Sequence, residues 1–411
     1  FSMRAPDIPD ADPEDQPTWN IWEYDITTRE LRRIIPADVN AESGQDISPH
    51  YLPDGRIIFS STRQVAAKGI LLDEGKQQYT ALDENRNEYA AVLHVMNSDG
   101  SDIHQVSFNQ SHDLDPLVIG TGEVLFSRWG NMGSQDAISL YKMHPDGSEL
   151  QLVYGAHSHA TGTNNNDVQF LQPRELENGK LLTTLLPRVL LPTPDPNVFV
   201  EIIMDGGDLV EIDVANYIDN TLPTAVNQGV LSGPAQKSAV INNVFTDGTI
   251  SPGGLFRSAW PLHDGTNRIL VSWSQCRLQE NNLILPCTPD NLNNPNAVEA
   301  NPVYAIFLYN KNTDTQLPVV VARDGVMFTD VVAAEPRDLP EILFDKEPGV
   351  GLDLQLSDEG VGVLNIRSVY DVDGVDTAIP DIATLANPGL TAADERPARF
   401  LRIIKAVGIP D

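Results

Sequence analysis

Residues 47–63, ISPHYLPDGRIIFSSTR, carry the sequence pattern from which the fold can be predicted. This stretch contains an apolar strand, a Pro-Asp-Gly turn and a second apolar strand, which is the pattern of a β-hairpin. Glycine allows the positive φ that a tight hairpin turn requires, and the flanking Ile, Phe and Tyr favour extended backbone. Similar strand–turn–strand stretches return at residues 114–129, 168–187 and 256–275. The chain therefore repeats one hairpin pattern four times.

A second hairpin pattern follows each copy of the first. Its four copies occupy residues 91–108, 138–155, 206–221 and 304–322. Two successive hairpins make one four-stranded antiparallel unit. The four units predicted in this way span residues 47–108, 113–155, 166–221 and 251–322.

The two ends of the chain carry incomplete copies of the repeat. Residues 19–35 look like the second hairpin alone, and residues 328–344 look like a degraded first hairpin. Strands from both ends can complete one unit of a ring and leave no open sheet edge. With further strands expected at 354–370 and 400–407, we predict an all-β fold. It is a β-propeller of four-stranded blades, six in number within a range of five to seven, closed by its N- and C-terminal strands. The alternative architecture is a pair of packed β-sandwiches.

We expect two parts in the chain. Residues 1–18 are acidic and proline-rich and are predicted to form an N-terminal arm. Residues 19–411 are predicted to form a single propeller domain. Because the chain begins FSM and ends in the apolar, basic stretch RFLRIIKAVGIPD, we expect it to be part of a longer protein.

These repeats resemble the TolB-like propeller repeat, in which Pro-Asp-Gly-Arg precedes an inner strand and Asp-Gly-Ser precedes an outer one. Here those motifs stand at 53–56 and 99–101. More narrowly, SPHYLPDGRIIFSSTR, SAWPLHDGTNRILVSW and LNIRSVYDVDG, with ARFLRIIKAV after it, resemble the propeller part of secreted proteins related to the hydrazine synthase alpha subunit. The resemblance implies a propeller fold, and it implies that Asp46 and Asp113 hold neighbouring strands together through backbone N–H groups. Members of that group carry c-type haem outside the propeller, whereas this chain has no C-x-x-C-H motif and so no covalent haem is assigned.

The charge of the chain excludes some partners. There are 27 Lys and Arg against 58 Asp and Glu, so the formal net charge is 27 − 58 = −31. A surface of this sign repels nucleic acid and anionic lipid. The longest apolar stretch, residues 303–309, is far shorter than the roughly 18 residues of a membrane span and is predicted to be a strand. We expect a protein partner of basic character, and a polysaccharide stays an alternative.

The two cysteines, Cys276 and Cys287, flank a ten-residue segment that is predicted to be a hairpin or loop. They can form a disulfide if their Cα atoms approach within about 7 Å. The alternative is a pair of unrelated free thiols. A disulfide would indicate the periplasm or the cell exterior.

Histidines provide the candidate transition-metal site. His157 and His159 form an H-x-H pair, and both imidazoles would lie on one face if residues 155–160 were extended. A third ligand could come from His50 or His112, which stand near the start of two predicted first hairpins. The alternative is that these histidines only make hydrogen bonds in polar loops.

Asp371, Asp373 and Asp376 surround a glycine and form a candidate calcium loop. The loop lacks the glutamate that closes an EF-hand at its twelfth position, and a solvated turn is the alternative. Trp129 follows a predicted strand and is a candidate loop or channel aromatic for ligand binding. No nucleophile-elbow, P-loop or dinucleotide-binding motif is found in the sequence.

We therefore predict a non-catalytic function. The chain is expected to be a secreted or periplasmic binding or scaffold module in a larger assembly that can include haem proteins. One alternative is a metal-dependent polysaccharide lyase or hydrolase that uses channel histidines. The other is a redox-associated domain whose haem segment lies outside this chain.

Overall fold

The protein is built almost entirely of β-strands in small antiparallel sheets. The computed structural model describes residues 1–12, 15–132, 135–192, 199–224, 226–241, 243–323, 325–361, 380–381, 384–385, 387–395 and 408–410. The α-helices in these ranges are short, and they are α1 (Asp38–Ala41), α2 (Val65–Asp73), α3 (Pro289–Leu292) and α4 (Leu354–Asp358). In the part of the chain that is described, no helix has the length and apolar character needed to cross a membrane.

Three N-terminal strands form a small antiparallel sheet in the order β1-β2-β3. They are β1 (Ser2–Met3), β2 (Asn20–Tyr24) and β3 (Leu31–Arg33). Strand β1 lies inside the predicted N-terminal arm and pairs with Asn20 and Ile21.

Four larger sheets follow, and in each of them the strands are paired in the order in which they occur along the chain. Sheet A contains β4 (Asp46–Tyr51), β5 (Ile57–Ser61), β6 (Val92–Met96) and β7 (His104–Gln105). Sheet B contains β8 (Asp113–Val118), β9 (Val124–Met132), β10 (Gln135–Met143) and β11 (Gln151–Tyr154). These two sheets coincide with the first two units predicted from the repeats.

Sheets C and D carry insertions between their strands. Sheet C contains β12 (Val168–Glu175), β13 (Leu181–Pro192), β15 (Asp208–Ile212) and β18 (Gln236–Ser238). An extra strand, β14 (Phe199–Ile203), pairs with β13. Between β15 and β18 the chain forms a separate hairpin of β16 (Tyr217–Asp219) and β17 (Leu222–Pro223). Sheet D contains β19 (Leu255–Pro261), β20 (Arg268–Ser274), β24 (Ala305–Asn310) and β25 (Thr315–Val320). Its insertion is the three-stranded sheet of β21 (Arg277–Glu280), β22 (Leu283–Pro286) and β23 (Val298–Glu299). A last pair, β26 (Glu347–Pro348) and β27 (Gly351–Leu352), is parallel.

Apolar layers separate successive sheets. Ile34 and Phe59 pack between the N-terminal sheet and sheet A, and Val95 and Phe126 pack between sheets A and B. The layer between sheets B and C includes Tyr154 and Phe170, and the layer between sheets C and D includes Leu209 and Phe256. Alternating apolar residues on both faces of each sheet supply these layers, because successive side chains of a strand point to opposite faces.

The first strands of sheets A to D lie next to one another. Strand β4 contacts β8, β8 contacts β12, and β12 contacts β19. Four meandering sheets whose first strands are neighbours, with apolar layers between the sheets, are consistent with an all-β propeller.

Three predicted strands differ from the structure. The last strand of sheet C is Gln236–Ser238, because residues 217–219 pair with 222–223 in a hairpin of their own. Of the strand predicted at 354–370, residues 354–358 form a helix, whose N-terminus is capped by the Asp353 side chain accepting from the backbone N–H of Leu356. Residues 362–370 lie outside the described residues. Residues 328–344 contain no strand, and the strand predicted at 400–407 lies outside the described residues.

Residues 328–346 instead form an irregular segment, here called the strap, that runs along the turns of several sheets. Its Glu335 accepts from the backbone N–H of His263 at 3.2 Å, and its Glu341 N–H donates to the carbonyl of Gly120 at 3.2 Å. Asp345 then receives two parallel hydrogen bonds, of 2.7 and 2.8 Å, from Arg56. The strap therefore connects sheets D, B and A at the same end of their first strands.

Candidate functional site

Every first strand of sheets A to D is interrupted by a β-bulge. The pairing register shifts between Ile47 and His50, between Leu114 and Leu117, between Leu171 and Arg174, and between Phe256 and Ser258. A bulge turns a side chain away from the regular alternation of a strand. Since the four strands are neighbours, the bulges bring the turned side chains towards one region.

Three of these bulges share a local pattern, a polar residue followed by proline. Ser48, Asp115 and Gln172 each precede a proline, and their φ values are 52°, 54° and 50°. Positive φ is uncommon for residues other than glycine. Proline has no N–H to contribute to a ladder, so it fits an interrupted strand at the edge of a sheet.

The bulges are joined by hydrogen bonds to Asp115. The Ser48 hydroxyl donates to Asp115 Oδ1 at 3.3 Å, and the Gln172 backbone N–H donates to Asp115 Oδ2 at 3.1 Å. Burial raises the pKa of Asp115, while Arg174 and Arg257 oppose that rise. We call the set Ser48, Asp115, Gln172, Arg174, Arg257 and Trp260 the axial cluster.

Arginines dominate the axial cluster. The Arg174 guanidinium lies 5.2 Å from the centroid of the Trp260 ring, and Arg337 of the strap lies 4.8 Å from the same ring. Arg337 is 3.5 Å from Glu335, whereas Arg174, among the described residues, donates only to the carbonyl of Pro173, at 2.9 Å. Burial lowers the pKa of Arg174, against the opposing charges of Asp330 and Asp115.

Several buried polar atoms of this region have no hydrogen-bond partner among the described residues. They are Gln172 Oε1, Arg174 Nε, Arg257 Nη1, Ser258 Oγ, Trp260 Nε1 and His263 Nε2. An unsatisfied buried polar group costs about 1–3 kcal/mol, and more when it is charged. A concentration of such groups on two adjacent strands is what a site for a polar ligand or ordered water requires.

The four histidines proposed as metal ligands lie in different surroundings. His50 follows the first bulge; burial, helped by Arg174 and Arg337, lowers its pKa to about 4. His112 stacks on Trp129 at 5.5 Å, and its Nδ1 accepts from the backbone N–H of Ala91 at 3.1 Å. Within the described ranges, no group of three His, Cys, Asp or Glu side chains is placed to hold a metal ion.

His157 and His159 do not share a face, because residues 155–160 form a turn and are not extended. His157 is exposed, and its backbone N–H donates to Asp219 at 3.1 Å. Both ring nitrogens of His159 are engaged: Nδ1 lies 2.6 Å from the Val168 carbonyl and Nε2 lies 3.1 Å from Ser139 Oγ.

Of the other predicted sites, Trp129 and the cysteine pair have clear positions, and the calcium loop does not. Trp129 lies on β9 and not in a loop, and its Nε1 donates to Asp136 at 2.5 Å. The candidate calcium ligands Asp371, Asp373 and Asp376 lie outside the described residues. Cys276 and Cys287 form a disulfide with a Cα–Cα distance of 5.8 Å.

Asp46 and Asp113 join strands, although they bind side chains and not the backbone N–H groups expected from the resemblance. Arg63 donates to both carboxylate oxygens of Asp46, at 2.9 and 2.6 Å, and Arg128 does the same to Asp113, at 2.7 and 2.8 Å. Both carboxylates are fully buried. An arginine that follows the apolar residues of the second strand, in SSTR and FSRW, is the sequence signal for these pairs.

A second candidate site is a cavity of about 440 Å³ between sheets B and C. Its lining includes Ser139, Tyr141, His159, Asp167 and Gln169. The arginines in its wall are already paired, Arg128 with Asp113 and Arg188 with Asp136. The polar groups that remain for a ligand are therefore mostly uncharged.

Comparison with known proteins gives similarity of structure only. No family model matches the chain, and no curated protein matches it. Hydrazine Synthase of Kuenenia stuttgartiensis is similar over 75% of this chain and 36% of its own, with 16% identity and a TM-score of 0.47. TolB from Acinetobacter baumannii is similar over 74% of this chain and 49% of its own, with 10% identity and a TM-score of 0.36. An oligogalacturonate lyase from Vibrio parahaemolyticus is similar over 73% of this chain and 60% of its own, with 10% identity and a TM-score of 0.35. The matched regions thus span about a third to three fifths of those proteins.

Proposed function

We propose that this chain is a secreted, six-bladed TolB-like propeller, closed by its terminal strands, that binds a partner through the axial cluster. It would serve as a binding or scaffold module in a larger extracellular or periplasmic assembly, including one that contains haem proteins. The disulfide between Cys276 and Cys287 supports an oxidising compartment, since such bonds persist there.

The observation that carries this proposal is the pair of arginines with unused donors. Arg174 Nε and Arg257 Nη1 are buried and have no hydrogen-bond partner in the described chain. A guanidinium presents donors in a rigid fork that matches a carboxylate. The partner would therefore place an anionic group, such as an acidic side chain or a chain terminus, against Arg174 and Arg257.

The overall charge favours this use of the axial cluster. The chain carries a formal net charge of −31, so its surface repels anions in general. An anionic group would be bound only where the attraction to nearby arginines exceeds the repulsion by the rest of the surface. A basic partner with one exposed carboxylate fits this charge distribution, because its positive surface is attracted to the acidic chain and its carboxylate is held by the arginines.

Affinity capture from the native extracellular fraction tests the proposal, with the partner identified by mass spectrometry. We expect one partner in stoichiometric amount with the unmodified chain and with Arg29→Gln, which changes an exposed arginine. The same partner should be lost with the double variant R174Q/R257Q when circular dichroism shows it folded. Equal capture by both variants, or no stoichiometric partner, would refute the axial binding role.

A further inference from the structure

The cavity between sheets B and C contains a serine hydrogen-bonded to a histidine. Ser139 lies on β10 and His159 in the turn before β12, and Ser139 Oγ is 3.1 Å from His159 Nε2. The carbonyl of Val168 can only accept, so the imidazole Nδ1 at 2.6 Å from it carries the proton. Nε2 is therefore the unprotonated nitrogen, and it accepts from the serine hydroxyl.

We propose that this cavity is an acyl-transfer site in which Ser139 is the nucleophile and His159 is its general base. A nucleophile within hydrogen-bond reach of a base that a third group orients is the arrangement that activates serine. Here the Val168 carbonyl orients the imidazole. Burial lowers the pKa of His159, which keeps it neutral and able to take a proton, and the nearby Asp167 charge favours the protonated form once it has.

Gln169 supplies a donor for the oxygen of the reacting carbonyl. Its side chain is 1% exposed and lines the cavity. Its Oε1 accepts from the Ile138 backbone N–H at 2.5 Å, which fixes the amide, while Nε2 has no hydrogen-bond partner among the described residues. A glutamine amide held in this way can stabilise the oxyanion of a tetrahedral intermediate.

The lining defines the substrate class. A cavity of about 440 Å³ falls in the size range of small-molecule sites. Leu152, Ala137 and Ala156 provide an apolar wall, and the wall arginines are engaged by carboxylates. These features fit a neutral ester with a short acyl group better than a charged substrate.

The proposed reaction has two balanced steps. Ser139 Oγ forms a bond to the carbonyl carbon and gives its proton to His159 Nε2; the ester C–O bond then breaks, and the leaving alcohol takes that proton. The acyl-serine is hydrolysed by water, which bonds to the acyl carbon and gives a proton to Nε2. Ser139 Oγ leaves with this proton, and a carboxylic acid is released with no oxidant or reductant involved.

Labelling with a fluorophosphonate tests the nucleophile, because the probe attaches covalently to an activated serine and releases fluoride. The unmodified chain should gain one adduct, mapped to Ser139 by peptide mass spectrometry. Ser139→Ala should abolish it. Ser127→Ala is the matched control, because Ser127 is a buried serine of the same sheet that does not line the cavity, and it should label normally.

Two conservative variants separate catalysis from a structural contact. His159→Gln keeps a hydrogen-bonding group beside Ser139 but cannot accept the proton, so labelling and p-nitrophenyl acetate hydrolysis should slow by about 10²-fold or more. Gln169→Glu keeps the acceptor for Ile138 and removes the Nε2 donor, with an expected loss of about 10²-fold. The unfolding midpoint of each variant verifies the fold.

The outcomes are decisive and independent of the axial cluster. An adduct on Ser139 that requires His159 supports the site. No adduct on the folded chain, an adduct only on other serines, or labelling that His159→Gln leaves unchanged would overturn it. Arg29→Gln, which changes an exposed arginine outside both sites, should label like the unmodified chain. Partner capture and serine labelling are separate assays on separate residues, so failure of partner binding and failure of this site are distinguishable.

Discussion

Removing Arg63 should strongly destabilise the protein, because this side chain neutralises a carboxylate in the interior. Arg63 is 3% exposed and Asp46 is not exposed at all. Arg63 donates to both oxygens of Asp46 and also to the carbonyl of Ala41, at 3.3 Å. In Arg63→Ala the Asp46 carboxylate keeps, among the described residues, only the hydrogen bond from the Ser61 hydroxyl, at 2.7 Å.

The size of the effect follows from these contacts. Each hydrogen bond to a charged group contributes about 1.5–3 kcal/mol, so the two bonds to Asp46 correspond to about 3–6 kcal/mol. Breaking a buried ion pair by removing one partner costs about 3–5 kcal/mol by a separate measure. We therefore expect Arg63→Ala to lower the free energy of unfolding by about 3–5 kcal/mol at pH 8.

The loss should depend on pH. Burial raises the pKa of Asp46, and Arg63 opposes that rise, so removing Arg63 moves the pKa of the folded state further upward. A carboxyl whose folded pKa lies above its unfolded value stabilises the protein below the unfolded pKa and loses that contribution as the pH rises. The free energy of unfolding that Arg63→Ala loses, relative to the unmodified chain, should therefore be smaller at pH 5 than at pH 8.

Urea unfolding followed by tryptophan fluorescence at both pH values measures this. Arg128→Ala, which breaks the equivalent buried pair with Asp113, should also lower the free energy of unfolding strongly at pH 8, whereas the exposed Arg29→Ala should change it by less than about 0.5 kcal/mol. If Arg63→Ala lowers the free energy of unfolding by less than about 1 kcal/mol at pH 8, or by the same amount at pH 5 and pH 8, Arg63 does not neutralise a buried Asp46 carboxylate.

Three further perturbations have directions that the structure determines. Burial lowers the pKa of His94 to about 4, so the free energy of unfolding should fall as the pH drops from about 6.5 towards 4, and His94→Phe should flatten that dependence in urea titrations. Replacing Cys276 and Cys287 by serine should lower the free energy of unfolding by about 3 kcal/mol, given a separation of 11 residues, and calorimetry with and without reductant measures the difference. Arg56→Ala removes a partly exposed pair with Asp345 and should lower the free energy of unfolding by no more than about 1 kcal/mol, yet amide exchange across 341–346 should accelerate; unchanged exchange would contradict the anchoring role of this pair.

The hairpins and their grouping into sheets could be predicted, because both depend on local chemistry. Turns such as Pro-Asp-Gly and Asp-Gly-Ser require glycine at positive φ, and Gly55 and Gly100 have φ of 90° and 81°. The predicted strand at 303–309 corresponds to Ala305–Asn310. The all-β class and the first two sheets therefore followed from the repeats.

Elements that depend on distant partners were not predicted. The outer strand of sheet C, Gln236–Ser238, has little strand character in its own sequence, and its pairing to Val210–Ile212 crosses an insertion that no repeat indicates. Residues 328–344, which make up most of the strap, were predicted to be a degraded first hairpin because they look like a copy of the repeat. Its actual contacts, such as Glu341 with Gly120 and Asp345 with Arg56, join residues more than 200 positions apart.

The candidate sites also depend on contacts between residues distant in sequence, and were predicted less well than the strands. The predicted metal site was built on the neighbouring His157 and His159, with His50 or His112 as a third ligand, yet the turn at 155–160 directs His157 outward and His159 towards Ser139. The axial cluster had a sequence signal, namely a polar residue before proline at 48–49, 115–116 and 172–173, once in each first hairpin of sheets A, B and C. That signal indicates interrupted strands, but only neighbouring strands bring the interruptions together. The position of the axial cluster was therefore signalled by a polar residue before proline inside a first strand, whereas the residue types that usually bind metals do not come together in a group of three among the described residues.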